Sequence, residues 1–336
     1  MKKLSKSIFL FSLLAIILVL FSTSVIADYT PFEKKNILLL HSYHKSYEWT
    51  QRIEQGIKDE FKKSEIDVNF KTEYLDTKNY HSPEYFNQLY QIYQNKYSDK
   101  KFDLIIASDD YALQFLLKYK SDLFSSVPVV FCGVNNFDNI KTRINEDYTG
   151  IVENIDFEDS IKVALQLHPN RNRVVAITDK SMSGSENVNL IDEALAGFFS
   201  EIDYKIYRFN DINRVQQVIK DLDSNNIILL AGLFKDENNE LIPIAEIAEF
   251  LTKNTEQPIY SVWDFYLGQG IVGGKLISGE RQGEIAAKLT VNILQGYGRK
   301  IAASTRYSPN EYMFDYQQLQ KFNISQNKLP KNSIIV

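Results

Sequence analysis

A single cysteine, four histidines and two tryptophans among 336 residues leave this chain few routes to covalent or metal chemistry. Cys132 has no partner for an intrachain disulfide, and so few Cys and His residues make no zinc framework. Basic residues do not dominate. The 38 Lys and Arg stand against 43 Asp and Glu, a net charge of −5, which excludes the basic footprint of a nucleic-acid binder. No short period repeats along the chain, so a solenoid is excluded. A nucleophile elbow of the Gly-x-Ser-x-Gly type is missing as well. His41 and Ser42 are neighbours, but adjacent strand residues point to opposite faces and are badly placed for proton transfer. Gly268, Gly270 and Gly273 have the spacing of a dinucleotide fingerprint, yet a β-type run lies inside and after them where a helix is needed. Neither a cofactor nor a metal is expected. Asp109 and Asp110 offer carboxylates to a metal, but no further ligands accompany them.

Long apolar runs are also missing, except at the start. Lys2, Lys3 and Lys6 precede the apolar run Ile8 to Leu20, and small residues follow up to Ala27. A basic region, an apolar region and small residues before a cut describe a secretory leader. Val25 and Ala27 occupy the −3 and −1 positions, so Asp28 is the expected first mature residue, and no Cys stands there to take a lipid. Left uncut, Ile8 to Ala27 is long enough to span a bilayer. Cleavage is the expectation, giving an exported, periplasmic or otherwise extracytoplasmic soluble protein.

What the chain does have is core: 44% hydrophobic residues against 24% charged, with length for about two domains. One stretch sets its pattern. Leu104-Ile105-Ile106-Ala107 is continuously apolar, stops at Ser108-Asp109-Asp110, and feeds a helical segment from Tyr111 to Tyr119. A short apolar strand that ends at polar residues and leads into a helix reads as a buried parallel strand. Ligands of open α/β sheets sit beyond the carboxyl ends of such strands. Two roles are open to the acidic pair: capping the helix, for which Ser and Asp are favoured, and contacting a ligand.

The same alternation runs through the chain. Asn36 to His41 ends at Ser42-Tyr43, Val68 to Leu75 ends at Asp76-Thr77, and Val127 to Cys132 ends at Gly133-Val134-Asn135. Between them, Trp49, Ile53, Ile57 and Phe61 recur at helical spacing, and Ser82-Pro83 opens another helix. Around Tyr148 the pattern restarts, with strands ending at Asp179, at Ala231-Gly232, and near Trp263-Asp264. Strand and helix alternation implies βαβ units and parallel sheets. The last portion is too short for its own core. Two lobes are expected, residues 35–150 with 268–304 and residues 151–267 with 305–336, the glycines from Gly268 to Gly274 permitting a close crossover between them.

Several stretches carry a resemblance. HSYHKSYEWT at 41–50, EYLDTKNY at 73–80, IIASDDYALQFL at 105–116 and VPVVFCGVN at 127–135 do so in the first half. TGIVENIDFEDSIKVALQLHP at 149–169, GQGIVGG at 268–274 and QGEIAAKLTVNILQG at 282–296 follow in the same order. Together they resemble the substrate-binding proteins of ABC transporters with the type I periplasmic-binding fold. The likeness is to members used as extracytoplasmic sensor domains of bacterial signalling proteins. It implies an α/β fold of two Rossmann-like lobes joined by crossover strands, with a ligand between them. Sensor relatives continue into a membrane helix and signalling domains, whereas this sequence stops at Val336, so a built-in kinase is not expected.

Two classes of function compete. As a binding protein, the chain is a monomer that holds a small polar or aromatic metabolite and presents it to an ABC permease. Alternatively it serves a separate membrane histidine kinase or cyclic-nucleotide synthase. Its ligand contacts are then Ser42, Tyr43, Asp109, Asp110, Gly133 and Asn135 from one lobe and Asp179, Gly232, Trp263 and Asp264 from the other. Tyr43 and Trp263 have lobe core as their other role. As a secreted hydrolase it has only scattered histidines and no elbow, and no catalytic residue is assigned.

Overall fold

The computed structural model describes residues 34–135, 137, 140–198, 202–238, 240–297, 306–307 and 310–336. The leader expected over Met1 to Ala27 lies outside them. The first half runs β1 (Lys35–His41), α1 (Glu48–Lys63), β2 (Val68–Tyr74), α2 (Pro83–Tyr97), β3 (Leu104–Ser108), α3 (Asp109–Leu123), β4 (Val129–Val134) and β5 (Tyr148–Val152). The pattern then repeats with α4 (Phe157–Leu167), β6 (Arg173–Thr178), α5 (Met182–Phe198), β7 (Asp203–Arg208), α6 (Ile212–Lys220), β8 (Asn226–Leu230), α7 (Ile244–Asn254) and β9 (Ile259–Tyr260). The remainder comprises β10 (Gly273–Leu276), α8 (Gly279–Leu294), β11 (Arg306–Tyr307), β12 (Glu311–Phe314), α9 (Tyr316–Lys321) and β13 (Ile334–Ile335).

Two sheets result. The first has the order β11-β5-β4-β3-β1-β2 and the second β13-β12-β10-β9-β8-β6-β7. All pairings are parallel except that of β10 with β12. β3, β4 and β8 are buried along their whole length, as continuously apolar strands covered by helices on both faces must be. The apolar faces of α1 and α8 lie over the first sheet, and those of α4 and α5 over the second.

The chain crosses between sheets three times: after β5, between β10 and α8, and between β11 and β12. These crossings divide the last portion differently from the sequence expectation. Residues 268–304 do not all go with the first sheet, because Gly273 pairs with Tyr260 and extends the second. Nor do residues 305–336 all go with the second, because Arg306 and Tyr307 pair with Ile151 and Val152. A short strand adds to whichever sheet edge is open, and periodicity does not encode which. The return to the first lobe is made by α8, not by the glycine-rich segment. Gly56 and Gly283 let α8 lie against α1: a Cβ at Gly56 would stand 2.0 Å from Glu280 O, and one at Gly283 2.1 Å from Ile53 O. Among the described residues no helix is long and apolar enough to cross a membrane.

Candidate functional site

Strand register builds one edge of the site. His41 pairs with Ser108, and Ser108 with Cys132, so the next residues of three strands, Ser42, Asp109 and Gly133, emerge side by side. In the second sheet Ile177 pairs with Leu230 and Leu229 with Tyr260, which brings out Asp179, Gly232 and Trp263. The two edges face each other across a cleft of about 90 Å³. Tyr43, Tyr47, Trp49, Lys78, Asp109 and Asn135 line it from the first lobe. Asp179, Ser181, Glu186, Asn187, Gly232, Trp263, Phe265 and Tyr266 line it from the second, with Glu153 and Ile155 on the crossover between.

Asp109 opens α3 in the left-handed region, at φ 68°, which short polar residues tolerate better than most. Its carboxylate does not cap the helix. That task falls to Ser42, whose Oγ donates to Ser108 O at 2.7 Å and accepts from Ala112 N–H at 2.8 Å. Asp109 Oδ1 accepts the indole N–H of Trp49 at 2.8 Å, while its buried Oδ2 has no partner. The residue is 1% exposed. Burial pushes its pKa up to about 7; the hydrogen bond from Trp49 and the neighbouring Ser108 hydroxyl pull it down, Asp110 pushes further, and Lys78 opposes it.

Glu153, the first residue beyond β5, is the second buried acid. Its Oε1 accepts the indole N–H of Trp263 at 3.2 Å. Burial raises its pKa to about 8, and the nearby Asp109 adds to the rise. The two tryptophans of the chain therefore make the same contact, each donating to a carboxyl group in the cleft. Lys78 supplies the opposing charge. Its Nζ stands 4.5 Å from the ring centroid of Tyr43 and 5.6 Å from that of Tyr47, within cation–π range. Burial lowers its pKa while Asp179, Asp109 and Glu153 support the charged form.

The walls are aromatic. Trp263 stacks on Phe265 at 6.0 Å, and Phe265 meets Trp49 edge-on at 6.4 Å, which closes one side of the cleft with apolar contact between the lobes. Tyr43 and Tyr47 meet edge-on at 5.2 Å.

Six of the residues expected from strand ends line this cleft: Tyr43, Asp109, Asn135, Asp179, Gly232 and Trp263. Asp179 spends both oxygens on its own lobe, accepting from Ser181 N–H at 2.7 Å and Leu233 N–H at 2.9 Å. Four others stand behind the lining. Ser42 is wholly buried in its capping role. Asp110 accepts from the backbone N–H of Asn135 at 3.3 Å. Gly133 donates to Gln282 Oε1 at 3.1 Å, and a Cβ there would stand 2.8 Å from Asp109 Oδ1. Asp264 turns to Arg52 Nη1, 3.5 Å away on α1.

Sequence reasoning passed over Tyr47, Trp49, Lys78, Glu153 and Glu186. Glu153 had a legible signal, an acid directly after an apolar strand. Trp49 fits the helical apolar stripe of α1 and reads as core; only the tertiary fold turns its N–H toward Asp109.

No family model matches the chain, and no curated protein matches it in sequence. Solved structures match it in fold. An ABC domain from Streptococcus pneumonia, in complex with L-Trp, aligns with a TM-score of 0.61 at 14% identity, over 90% of this chain and 100% of that one. A substrate-binding protein with adhesive properties from Clostridium difficile, in its ligand-free open form, aligns with a TM-score of 0.61 at 14% identity, over 90% and 99%. An arabinose-binding protein from Geobacillus stearothermophilus aligns with a TM-score of 0.55 at 13% identity, over 83% and 95%. The fold of this chain is thus that of the type I periplasmic binding proteins.

Proposed function

We propose that this protein is an exported solute-binding protein that closes its two lobes on a small molecule and presents it to an ABC permease. The observation that carries the reading is the cleft itself. Strand ends of both sheets converge on it, and Asp109, which lines it, has a buried carboxylate oxygen with no protein partner. Buried polar groups are normally satisfied, so an orphaned acceptor in a cleft is a place for a ligand donor. Contacts from both lobes exist together only when the lobes are closed, so the solute stabilises the closed form. Structural neighbours include a substrate-binding protein and an arabinose-binding protein, which supports a non-catalytic role. A hydrolase has less to stand on: Ser42 is committed to α3, and His41 Nδ1 bonds Ser108 Oγ at 2.9 Å.

Native mass spectrometry of the purified protein identifies a carried-through small molecule. Small-angle scattering with and without that molecule then measures closure. A scattering profile indifferent to a bound solute removes the mechanism, and turnover of the solute removes the binding-only reading. N-terminal sequencing of exported protein should begin at Asp28. Recovery of intact Met1 in the membrane fraction would instead establish an anchor.

A further inference from the structure

The chemistry of the cleft narrows the class of solute, if the solute-binding reading holds. We propose that the ligand is an organic ammonium ion with a flat apolar body, its cation seated on Asp109 and its body held between the aromatic walls. Asp109 is 1% exposed and lines the cleft, yet its Oδ2 accepts nothing. Asp179 has less to offer, since each of its oxygens already accepts one backbone N–H group. Glu153 has one oxygen on Trp263 and lies on the crossover beside Asp109's field. The cleft lining holds four acids, Asp109, Glu153, Asp179 and Glu186, and one basic residue, Lys78. Even with Asp109 and Glu153 partly protonated near neutral pH, the acids outweigh the one base, so an anionic solute meets that balance at a loss and a cation at a gain.

The rings show the same preference. Lys78 Nζ stands over Tyr43 and Tyr47, and no carboxylate lies within ion-pair distance of it among the described residues. The lobe thus already places an ammonium group on these ring faces, the arrangement by which aromatic sites recognise organic cations. Lys78 is an internal stand-in for part of what the ligand brings.

Proton release follows from the same geometry. Asp109 is faced by Asp110 on its own helix, Lys78 beyond β2, Cys132 on β4, Glu153 beyond β5, and Tyr43 and Tyr47 beyond β1. Near neutral pH, Asp109 and Glu153 retain part of their protons. An arriving ammonium ion favours the ionised carboxylates, and the displaced protons pass to the buffer.

The test uses phenethylamine, its neutral analogue 2-phenylethanol, the anion 3-phenylpropionate and D-arabinose, with calorimetry at pH 7 in two buffers of different ionisation enthalpy. The amine should bind at least about tenfold tighter than the neutral and anionic analogues, with net proton release. Asp109→Asn, checked for folding by circular dichroism, should lose about tenfold for the amine. Lys78→Met should tighten amine binding by removing a like charge, whereas a site that uses Lys78 to hold a ligand carboxylate would weaken. Equal binding of 2-phenylethanol or arabinose, unchanged in Asp109→Asn, overturns the ammonium assignment and leaves solute binding standing. So does recovery of a neutral or anionic molecule by native mass spectrometry. If no probe binds and no molecule is carried through purification, both readings fall.

Discussion

The indole Nε1 of Trp49 donates to Asp109 Oδ1 at 2.8 Å, tying the first helix of one lobe to the acid at the cleft floor. Trp263 does the same for Glu153 from the other lobe, at 3.2 Å. Each acid gains one N–H against a burial cost that a single neutral donor does not offset, which is why both hold their protons to higher pH. The first bond lies within one lobe, and the second joins the other lobe to the crossover.

Both tryptophans line the cleft, so solute binding should change the intrinsic fluorescence, and Trp49→Phe should reduce that change. The same substitution leaves Asp109 Oδ1 buried without its donor. It should cost about 1–3 kcal/mol of stability, the range for an orphaned buried acceptor. Urea unfolding measures it, and an unchanged midpoint with unchanged slope would show that the contact is not formed in solution.

Stability should fall with pH across the neutral range. Asp109 and Glu153 titrate at about 7 and about 8 in the folded chain, above their unfolded values. From about pH 4 upward the folded state therefore holds protons that the unfolded state has released, and raising the pH favours unfolding until both acids are ionised. His41 and His168, lowered to about 4 by burial, act in the opposite sense. Their effect is confined below about pH 6.5, where the unfolded chain binds the protons. Between about pH 6.5 and 8.5 the acids act alone among these four, and the decline should be on the order of 1–3 kcal/mol. Asp109→Asn combined with Glu153→Gln should flatten it. A double variant with the wild-type slope would assign the dependence to other groups.

Gly133 acts on the site by leaving room. Its φ is 67°, and a Cβ would stand 2.8 Å from Asp109 Oδ1. Gly133→Ala combines left-handed strain of about 1–2 kcal/mol with displacement of that carboxylate. Stability should drop, and solute affinity should drop with it. Calorimetry and unfolding on the same preparation separate the two effects; full affinity in Gly133→Ala would show that the carboxylate does not contact the solute.

Arg52 and Asp264 join the lobes on the outside of the cleft, Nη1 to Oδ2 at 3.5 Å, while Glu48 holds the same guanidinium at 2.7 Å. Burial raises the Asp264 pKa and Arg52 opposes the rise. Because Asp264 is buried and Arg52 half-exposed, Arg52→Ala should cost about 1–2 kcal/mol, between the values for exposed and buried pairs. It should also widen the cleft, read as an increased radius of gyration by small-angle scattering. An unaltered radius would remove this pair as a latch.

What the sequence determined by itself was the succession of short apolar strands ending in polar residues, and hence where a ligand could sit. That information is local: apolar run length, a stop at Ser, Asp, Gly or Asn, and helical spacing after it. Tyr43, Asp109, Asn135, Asp179, Gly232 and Trp263 were legible on those grounds. What only the tertiary structure decided was which strand-end groups are free. Ser42 and Asp109 are equivalent by the strand-end rule, yet Ser42 caps α3 across the sheet and Asp109 keeps an oxygen unpartnered. Lys78 and Trp49 reach the cleft because neighbouring strands and a helix deliver them to Tyr43 and Asp109, contacts separated by 35 and 60 positions in the chain. Hydrogen-bond satisfaction and burial are properties of that assembled neighbourhood, so no pattern within one segment can encode them.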